Sequence, residues 1–147
     1  MASKFITNEG KQKLLRLGFL GDNNDSAFNY VALGLEGSTA SQTGDRNHFI
    51  EATQDGYERA ELVEEKNQSI DGSSTSGPSI IVSAVFDKTN FNPSADEYIT
   101  EIAIVDHDID SGTNDTFFAF ASVPKINKSH NVSLKYTIVL ELKDIED

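Results

Sequence analysis

Cysteine and tryptophan are absent from this chain of 147 residues, which also has only 3 prolines, 1 methionine and 3 histidines. The lack of cysteine excludes disulfides, iron–sulfur clusters, thiolate zinc sites and thiol catalysis, and it fits folding in a reducing cytoplasm. No run approaches the ~18 apolar residues of a membrane-spanning helix. Residues 1–20 also lack the apolar core of about 7–15 residues typical of a signal peptide. We therefore expect neither secretion nor a membrane partner.

The charge is distributed unevenly along the chain. In total, 24 acidic and 12 basic residues give a formal net charge of −12 at pH 7. Residues 1–20 hold four bases and one acid, so the excess of acids lies in residues 21–147. This balance disfavours nucleic acid and anionic membranes as partners, because phosphate contacts need clustered Lys and Arg.

The charge has two interpretations. In the simpler one, it only keeps the protein soluble; in the sharper one, the basic N-terminal segment docks on an acidic partner. The residues predicted to dock are Lys4, Phe5, Lys11, Lys13 and Arg16.

Residues 7–17 are predicted to form one short helix. Thr7 or Asn8 is a suitable N-cap, and Gly18 and Gly21 can end the helix. The apolar residues of this region form a loose stripe that we expect to pack on a sheet. They are Phe5, Leu14, Leu15, Leu17 and Leu20.

Six further segments are apolar runs or alternate between apolar and polar residues, as strands do. These predicted strands are 29–35, 57–63, 79–87, 98–106, 117–123 and 132–142. Apolar residues occupy both faces of 79–87, so we expect both faces to be covered. About six strands with no helices between them predict a single all-β domain over 1–147. The expected architecture is an antiparallel β-sandwich or barrel with one N-terminal α-helix.

Two long polar loops are predicted, at 36–56 and 64–78. Structureless loops above about 12–15 residues are uncommon in compact domains and are often functional or disordered. These loops are therefore either contact surfaces that become ordered on assembly or ordinary surface insertions.

Catalytic sequence patterns are missing: there is no nucleophile elbow, phosphate-binding glycine loop or His-Glu-x-x-His. Glu101 is the one acid inside an otherwise apolar strand. We expect it either to pair internally with Arg59 or Lys135 or to face solvent. The histidines, expected to be solvated loop residues, are His48, His107 and His130. We expect no enzymatic activity and no cofactor.

The best metal candidate is an acidic loop after the fourth predicted strand. Asp106, Asp108 and Asp110 repeat the 1, 3, 5 spacing of a calcium loop. However, Ser111 occupies the sixth position, where glycine belongs, and Phe117 occupies the twelfth, where a bidentate glutamate belongs. We therefore expect a hairpin loop with solvated acids and no metal; a weak Ca²⁺ site built from the three aspartates is the alternative.

Several short segments occur in a characteristic order along the chain. They are KFITNEG at 4–10, YVALG at 30–34, GSTA at 37–40, YERAEL at 57–62, IVSAVF at 81–86, ITEIAIVD at 99–106, FAFASVP at 118–124 and INKS at 126–129. A leucine-rich helix follows the first segment, and a long strand follows the last. This ordered set resembles the N-terminal attachment domain of phage tail-collar fibre proteins.

The resemblance implies a non-enzymatic structural protein of a tailed-bacteriophage virion, made in the host cytoplasm. Within the virion, our leading hypothesis is a tail or baseplate component, or a fibre-attachment adaptor, that docks on other virion proteins through the helix and the two long loops. Collar fibres continue into a shaft and a receptor-binding tip, whereas this sequence ends after the attachment-like part, which favours an adaptor or a decoration role over receptor binding. Because virion parts are symmetric, we also expect a homo-oligomer.

Two alternatives stay open. One, of the same class, is a capsid or neck decoration or head-fibre protein. The other is a carbohydrate-binding β-sandwich, which would need an exposed aromatic platform. The tyrosines that would have to form this platform are instead expected in the core: Tyr30, Tyr57, Tyr98 and Tyr136.

Overall fold

A computed structural model describes residues 4–21, 27–53, 57–65, 79–87, 97–107, 115–129 and 131–141. The strands are β1 (Lys4–Ile6), β2 (Tyr30–Leu35), β3 (Ala60–Glu61), β4 (Val63–Glu64), β5 (Ser79–Phe86), β6 (Ile99–Val105), β7 (Phe117–Ile126) and β8 (Leu134–Glu141). The helices are α1 (Asn8–Leu15), which continues as a π-helix (Arg16–Leu20), α2 (Ala40–Thr43) and a 3₁₀ turn (Arg46–His48). The predicted class, all-β with an N-terminal helix, is confirmed.

Two antiparallel sheets pack face to face. One has the strand order β1-β7-β6-β2-β3, and the other has the order β4-β5-β8. Their shared core includes Leu33 and Ile102 from the first sheet and Phe86 from the second. Along β8, Tyr136 and Ile138 pack against this core. The alternating residues Lys135, Thr137 and Val139 are exposed, as the period of two predicts.

The segment 36–53 covers the opposite face of the five-stranded sheet. Its backbone is bonded to β2, since the Leu35 N–H donates to the Ile50 carbonyl (2.7 Å) and the Ala52 N–H to the Leu33 carbonyl (2.9 Å). Its buried Ala40 packs in a second apolar cluster with Phe117, Phe120 and other residues of β2, β6 and β7. Most of the predicted loop 36–56 is therefore a folded layer of the domain rather than a loop that waits for assembly. Residues 54–56, and 66–78 of the other predicted loop, lie outside the described residues.

The predicted strand 57–63 is wrong as a single strand. β3 pairs with β2, with Ala60 opposite Val31, whereas β4 pairs with β5, with Val63 opposite Ser83. The chain thus passes from one sheet to the other at Leu62. Pieces of two residues are too short to show alternation, which is also why the three-residue β1 is not visible in the sequence.

The prediction that both faces of strand 79–87, which is β5 in the structure, are covered is only half right. On the inner face of β5, Val82, Ala84 and Phe86 are buried. On its outer face, Ile81 is 8% exposed but Val85 is 55% exposed. The outer face of the three-stranded sheet therefore presents apolar side chains to solvent.

Two neighbouring substitutions test the orientation of β8. Ile138→Asp places a charge against the core, so we expect it to lower the free energy of unfolding by about 3 kcal/mol or more. Val139→Asp places the same charge on a side chain that is 50% exposed, and we expect it to cost less than about 1 kcal/mol. Urea unfolding of both variants measures the difference. Equal losses would show that the register is incorrect.

Candidate functional site

The N-terminal segment is fixed to strand β7 by its first helical turn. Thr7 is the N-cap of α1. Its hydroxyl oxygen accepts a hydrogen bond from the Gly10 N–H (2.9 Å), and the same hydroxyl donates a hydrogen bond to the Phe117 carbonyl. Gly10 then lies directly on the strand, because a Cβ atom there would stand 2.7 Å from the Phe118 Cα. Of the two predicted N-caps, Thr7 is the one used. A larger residue at position 10 would push the helix off the sheet.

A buried ion pair holds the next turn of the helix. The Lys13 ammonium donates to the Asp106 carboxylate, and the two side chains are 2% and 1% exposed. The ammonium also lies 5.2 Å from the centroid of the Phe28 ring. Lys13 was predicted to dock on a partner, but here it is enclosed by its own domain. The prediction is wrong because a buried carboxylate at position 106 needs a cation, and Lys13 supplies it.

The environment of Asp106 keeps it ionised. Burial by itself raises the pKa of Asp106, but hydrogen bonds from Lys13, from the Thr116 N–H (2.9 Å) and from His107 lower this pKa by more, so that it lies below its ordinary value. His107 Nδ1 lies 2.6 Å from Asp106 Oδ1, and its side chain is only 25% exposed. Neither Asp106 nor His107 is therefore the solvated loop residue that we expected.

Arg59 extends this arrangement to two more carboxylates. Its Nε and Nη2 donate to the two oxygens of Glu51 at 2.8 and 2.9 Å, and Nη2 also donates to Asp115 (2.8 Å). A third donor, Nη1, bonds the carbonyl of His107 (2.8 Å). We refer to Lys13, Glu51, Arg59, Asp106, His107 and Asp115 as the ion cluster. It lies where β6 ends and β7 begins.

Glu101 is not part of the ion cluster. It is 1% exposed, and its Oε2 accepts from the N–H (3.0 Å) and the hydroxyl (2.6 Å) of Ser41 in α2. Lys135 instead pairs with Glu65 at 2.9 Å. Both predicted ion pairs of Glu101 are therefore wrong, and so is its alternative placement in solvent. Serine takes this role because α2 covers the face of β6 that carries Glu101.

Part of the ion cluster has the composition of a metal site. Ligand atoms of Asp106, His107 and Asp115 all lie within 4.8 Å of one another. Two carboxylates and an imidazole suit divalent cations in general. However, Lys13 already neutralises Asp106 and Arg59 already neutralises Asp115, so an added cation would meet two fixed positive charges. Asp108 and Asp110, the other members of the predicted calcium site, lie outside the described residues, as does His130.

The N-terminal segment exposes several large apolar side chains to solvent. Leu14, Leu15, Phe19 and Leu20 are 43%, 57%, 83% and 76% exposed, and we call these four residues the N-terminal apolar surface. The buried residues of α1 are Gly10 and Lys13. The helix packs on the sheet as predicted, but not through the leucine stripe: Lys13 points inward, Leu14, Leu15 and Leu20 are exposed, and Leu17 is half-buried. Large exposed apolar groups of this kind mark contact sites.

The other four predicted docking residues belong to the same N-terminal segment. Lys4, Lys11 and Arg16 are exposed. Phe5 is 38% exposed, and its ring lies over Gly44. Gly44 has a positive φ of 70° and would have no room for a Cβ atom beneath this ring. The structure therefore keeps four of the five predicted docking residues at or near the surface.

No known protein family, curated protein or solved structure was found to match this chain. Among the described helices, none is long and apolar enough to cross a bilayer.

Replacing Lys13 by methionine tests the ion pair. Lys13→Met leaves the Asp106 charge buried without its cation, and we expect a loss of about 3 kcal/mol in the free energy of unfolding at pH 7. Because the pKa of Asp106 is depressed in the folded state, the contribution of the pair is complete above about pH 4 and declines as the pH falls through the depressed pKa. The difference between wild type and variant should therefore shrink as the pH falls below about 4.

Two further variants complete this experiment. Lys11→Met removes an exposed lysine from the same helix and should change stability by less than about 0.5 kcal/mol. Adding Asp106→Asn to Lys13→Met removes the stranded charge and should recover part of the loss. If Lys11→Met and Lys13→Met were equally stable in urea unfolding, the buried pair would be refuted.

Calcium and zinc titrations test the metal interpretation of the ion cluster. Because both carboxylates are already paired, we expect either ion at millimolar concentration to move the melting temperature by less than about 1 °C. Differential scanning fluorimetry measures this shift. A rise of several degrees that disappears in Asp115→Asn would show that the cluster binds metal after all.

Proposed function

We propose that this protein is a non-enzymatic structural component of a tailed-bacteriophage virion, in the tail or baseplate or as a fibre-attachment adaptor. It docks on a neighbouring protein through its N-terminal apolar surface. The observation that carries this proposal is the inverted helix α1, which buries Lys13 and exposes Leu14 and Leu15. Such a helix leaves apolar area exposed in the isolated subunit, and a partner that covers it recovers the lost hydrophobic stabilisation.

The part of this surface that lies on α1, Leu14 and Leu15, is suited to tight docking because the helix is held in place beforehand. The Thr7 cap, the close approach of Gly10 and the Lys13–Asp106 pair all fix the inner side of the helix. A preformed surface loses little conformational entropy when it binds. Each apolar side chain that becomes covered contributes roughly 1–3 kcal/mol.

Two other features support the virion assignment. The ordered set of segments described above resembles the attachment domain of collar fibres. The excess of acidic residues would keep the free subunit soluble before it assembles.

The carbohydrate-binding alternative gains no support from the tyrosines. Tyr57 is fully buried and Tyr136 packs against the core. Tyr98 is half-buried, and the Lys125 ammonium lies 4.3 Å from the centroid of its ring. Tyr30 is also half-buried. Sugar-binding platforms need aromatic faces that are open to solvent.

The location can be tested by immunogold labelling of purified particles of the phage that encodes the protein. We expect label at the tail end of intact particles. Label over the head would replace this proposal by the capsid-decoration alternative, and particles without label would refute both.

Docking through the N-terminal apolar surface can be tested by a double substitution. Leu15→Gln with Phe19→Gln keeps helix propensity but removes apolar area, so we expect incorporation into particles to fall at least about tenfold. Ile50→Gln, at an apolar side chain that is 47% exposed elsewhere, is the matched control. Quantitative mass spectrometry of particles measures both variants. Deleting residues 1–20 is less informative, because it also removes Lys13.

Normal incorporation of the folded double variant would refute docking through this surface. Equal losses in the double variant and in Ile50→Gln would point to a general loss of apolar surface instead. A melting temperature within a few degrees of wild type shows that each variant is folded.

A further inference from the structure

Strand β8 forms a long edge of the three-stranded sheet. Among the described strands that end a sheet, β1, β3 and β4 have three, two and two residues, whereas β8 has eight. β8 pairs with β5 along its whole length without a bulge, and it pairs with no other described strand. It contains neither proline nor glycine. Proteins usually keep exposed edges short or interrupt them, so an edge of this kind is suited to pairing with a further strand.

The core loses its cover towards the β8 edge. From Val82 to Phe86, the inward side chains of β5 are at most 8% exposed. Their partners in β8 are Ile138, Tyr136 and Leu134, and all three are only half-buried. The inner side of β8 is therefore open where that of β5 is closed.

The same decline runs across the inner face of the five-stranded sheet. Val31, Ile104, Ala119 and Ile6 stand opposite one another in β2, β6, β7 and β1, and Val31 belongs to the shared core, so all four lie on the inner face. Val31 is fully buried and Ile104 is 5% exposed, but Ala119 is half-buried and Ile6 is 46% exposed. The other inward residue of β1 is Lys4, which is exposed. The apolar inner face thus continues past the strands that cover it and ends at a lysine.

The widths of the two sheets explain this open face. The chain passes from β3 to β4 through Leu62 alone, so both sheets begin at the same edge. Five strands against three then leave the five-stranded sheet about two strands wider among the described residues, or roughly 10 Å. One added strand beside β8 would lie over Ile6 and Ala119.

A second folded copy does not fit beside β8. If its β8 approached the first β8, its own five-stranded sheet would come with it and would also reach about two strands beyond its β8. The two overhanging β1 edges would then occupy the same space. A single extended segment brings no second layer and avoids this clash.

We infer that the β8 edge binds an extended segment of another protein, which becomes the fourth strand of the three-stranded sheet. The backbone N–H and C=O groups of β8 supply the hydrogen bonds, as in other cases of strand addition. Every second residue of the bound segment faces Ile6 and Ala119, so the segment alternates between apolar and polar residues. The site uses other residues than the N-terminal apolar surface, and the inference does not depend on the proposed function.

Amide hydrogen exchange of the isolated protein, followed by NMR, tests whether the edge is open. In an edge strand, alternate N–H groups point to the paired strand and the others point to solvent. We expect one alternate set of amides between Leu134 and Glu141 to exchange at least about tenfold faster than the other set. Slow exchange of both sets in the monomer would mean that the chain covers its own edge. Slow exchange that appears only at high protein concentration would mean that a second copy covers it, and either result would overturn the inference.

A synthetic peptide then supplies the added strand. The probe is the β5 sequence SIIVSAVF with two lysines at each end for solubility, since this sequence already pairs with β8 on its other side. A scrambled peptide of the same composition is the control, because the protein's net charge of −12 attracts both peptides equally. In fluorescence anisotropy, the probe should bind at least about tenfold more tightly than the control, equivalent to about 1.4 kcal/mol. Equal binding of the two peptides would contradict strand addition.

Two backbone-methylated probes and one variant locate the bound strand. N-methylation of one alternate set of probe residues blocks the hydrogen bonds to β8, whereas N-methylation of the other set changes only the open side, so only one of the two methylated probes should still bind. Ile6→Gln should weaken binding of the unmodified probe at least about threefold. Ile50→Gln, at an apolar side chain of similar exposure, should leave binding unchanged. A melting temperature within a few degrees of wild type shows that each variant is folded. Binding by both methylated probes or by neither, or equal losses in the two variants, would refute the inference.

Discussion

The Lys13–Asp106 ion pair determines how the N-terminal segment sits on the domain. A carboxylate as enclosed as Asp106 is stable only when a cation and hydrogen bonds compensate its lost hydration. Lys13 meets this need, and by pointing inward it sets the rotation of α1 about its axis. Leu14 and Leu15 then have no position except the outer side. The exposed leucines are thus the consequence of a polar requirement inside the domain, and the same contact that holds the segment in place produces the surface through which we propose that it docks.

The ion cluster around this pair also joins parts of the chain that are far apart in sequence. Glu51 comes from the layer over the five-stranded sheet, Arg59 from the residues just before β3, and Asp115 from the residues just before β7. The guanidinium of Arg59 binds all three of its neighbours at about 2.8 Å, including the His107 carbonyl. Since an unpaired polar group is costly in a buried network, each member of the cluster depends on the elements that supply its partners.

Local patterns predicted the strands well and the tertiary choices poorly. The alternation in β8 was sufficient to orient Ile138 and Val139, because a period of two with one buried face admits a single register. The division of 57–63 between two sheets was not predictable, since two-residue pieces carry no periodicity. The face of α1 that packs on the sheet was predicted wrongly. The leucine spacing fits packing on a sheet, and no local signal reveals that Asp106 needs a cation from position 13. Likewise, Glu101 was recognised as unusual, but its partner Ser41 depends on how α2 folds over β6.

The pairing of the N-terminal segment with β7 has a consequence for when the molecule becomes able to assemble. The hydroxyl of Thr7 bonds to Phe117, a residue 110 positions later in the chain. During synthesis at about 5–20 residues per second, the segment therefore spends on the order of 5–20 seconds without the strand on which it rests. For most of this interval Lys13 also lacks Asp106, and the helix has no reason to turn its leucines outward. The proposed docking surface thus forms only after most of the sheet has been made, so any association through it would wait until the subunit is folded.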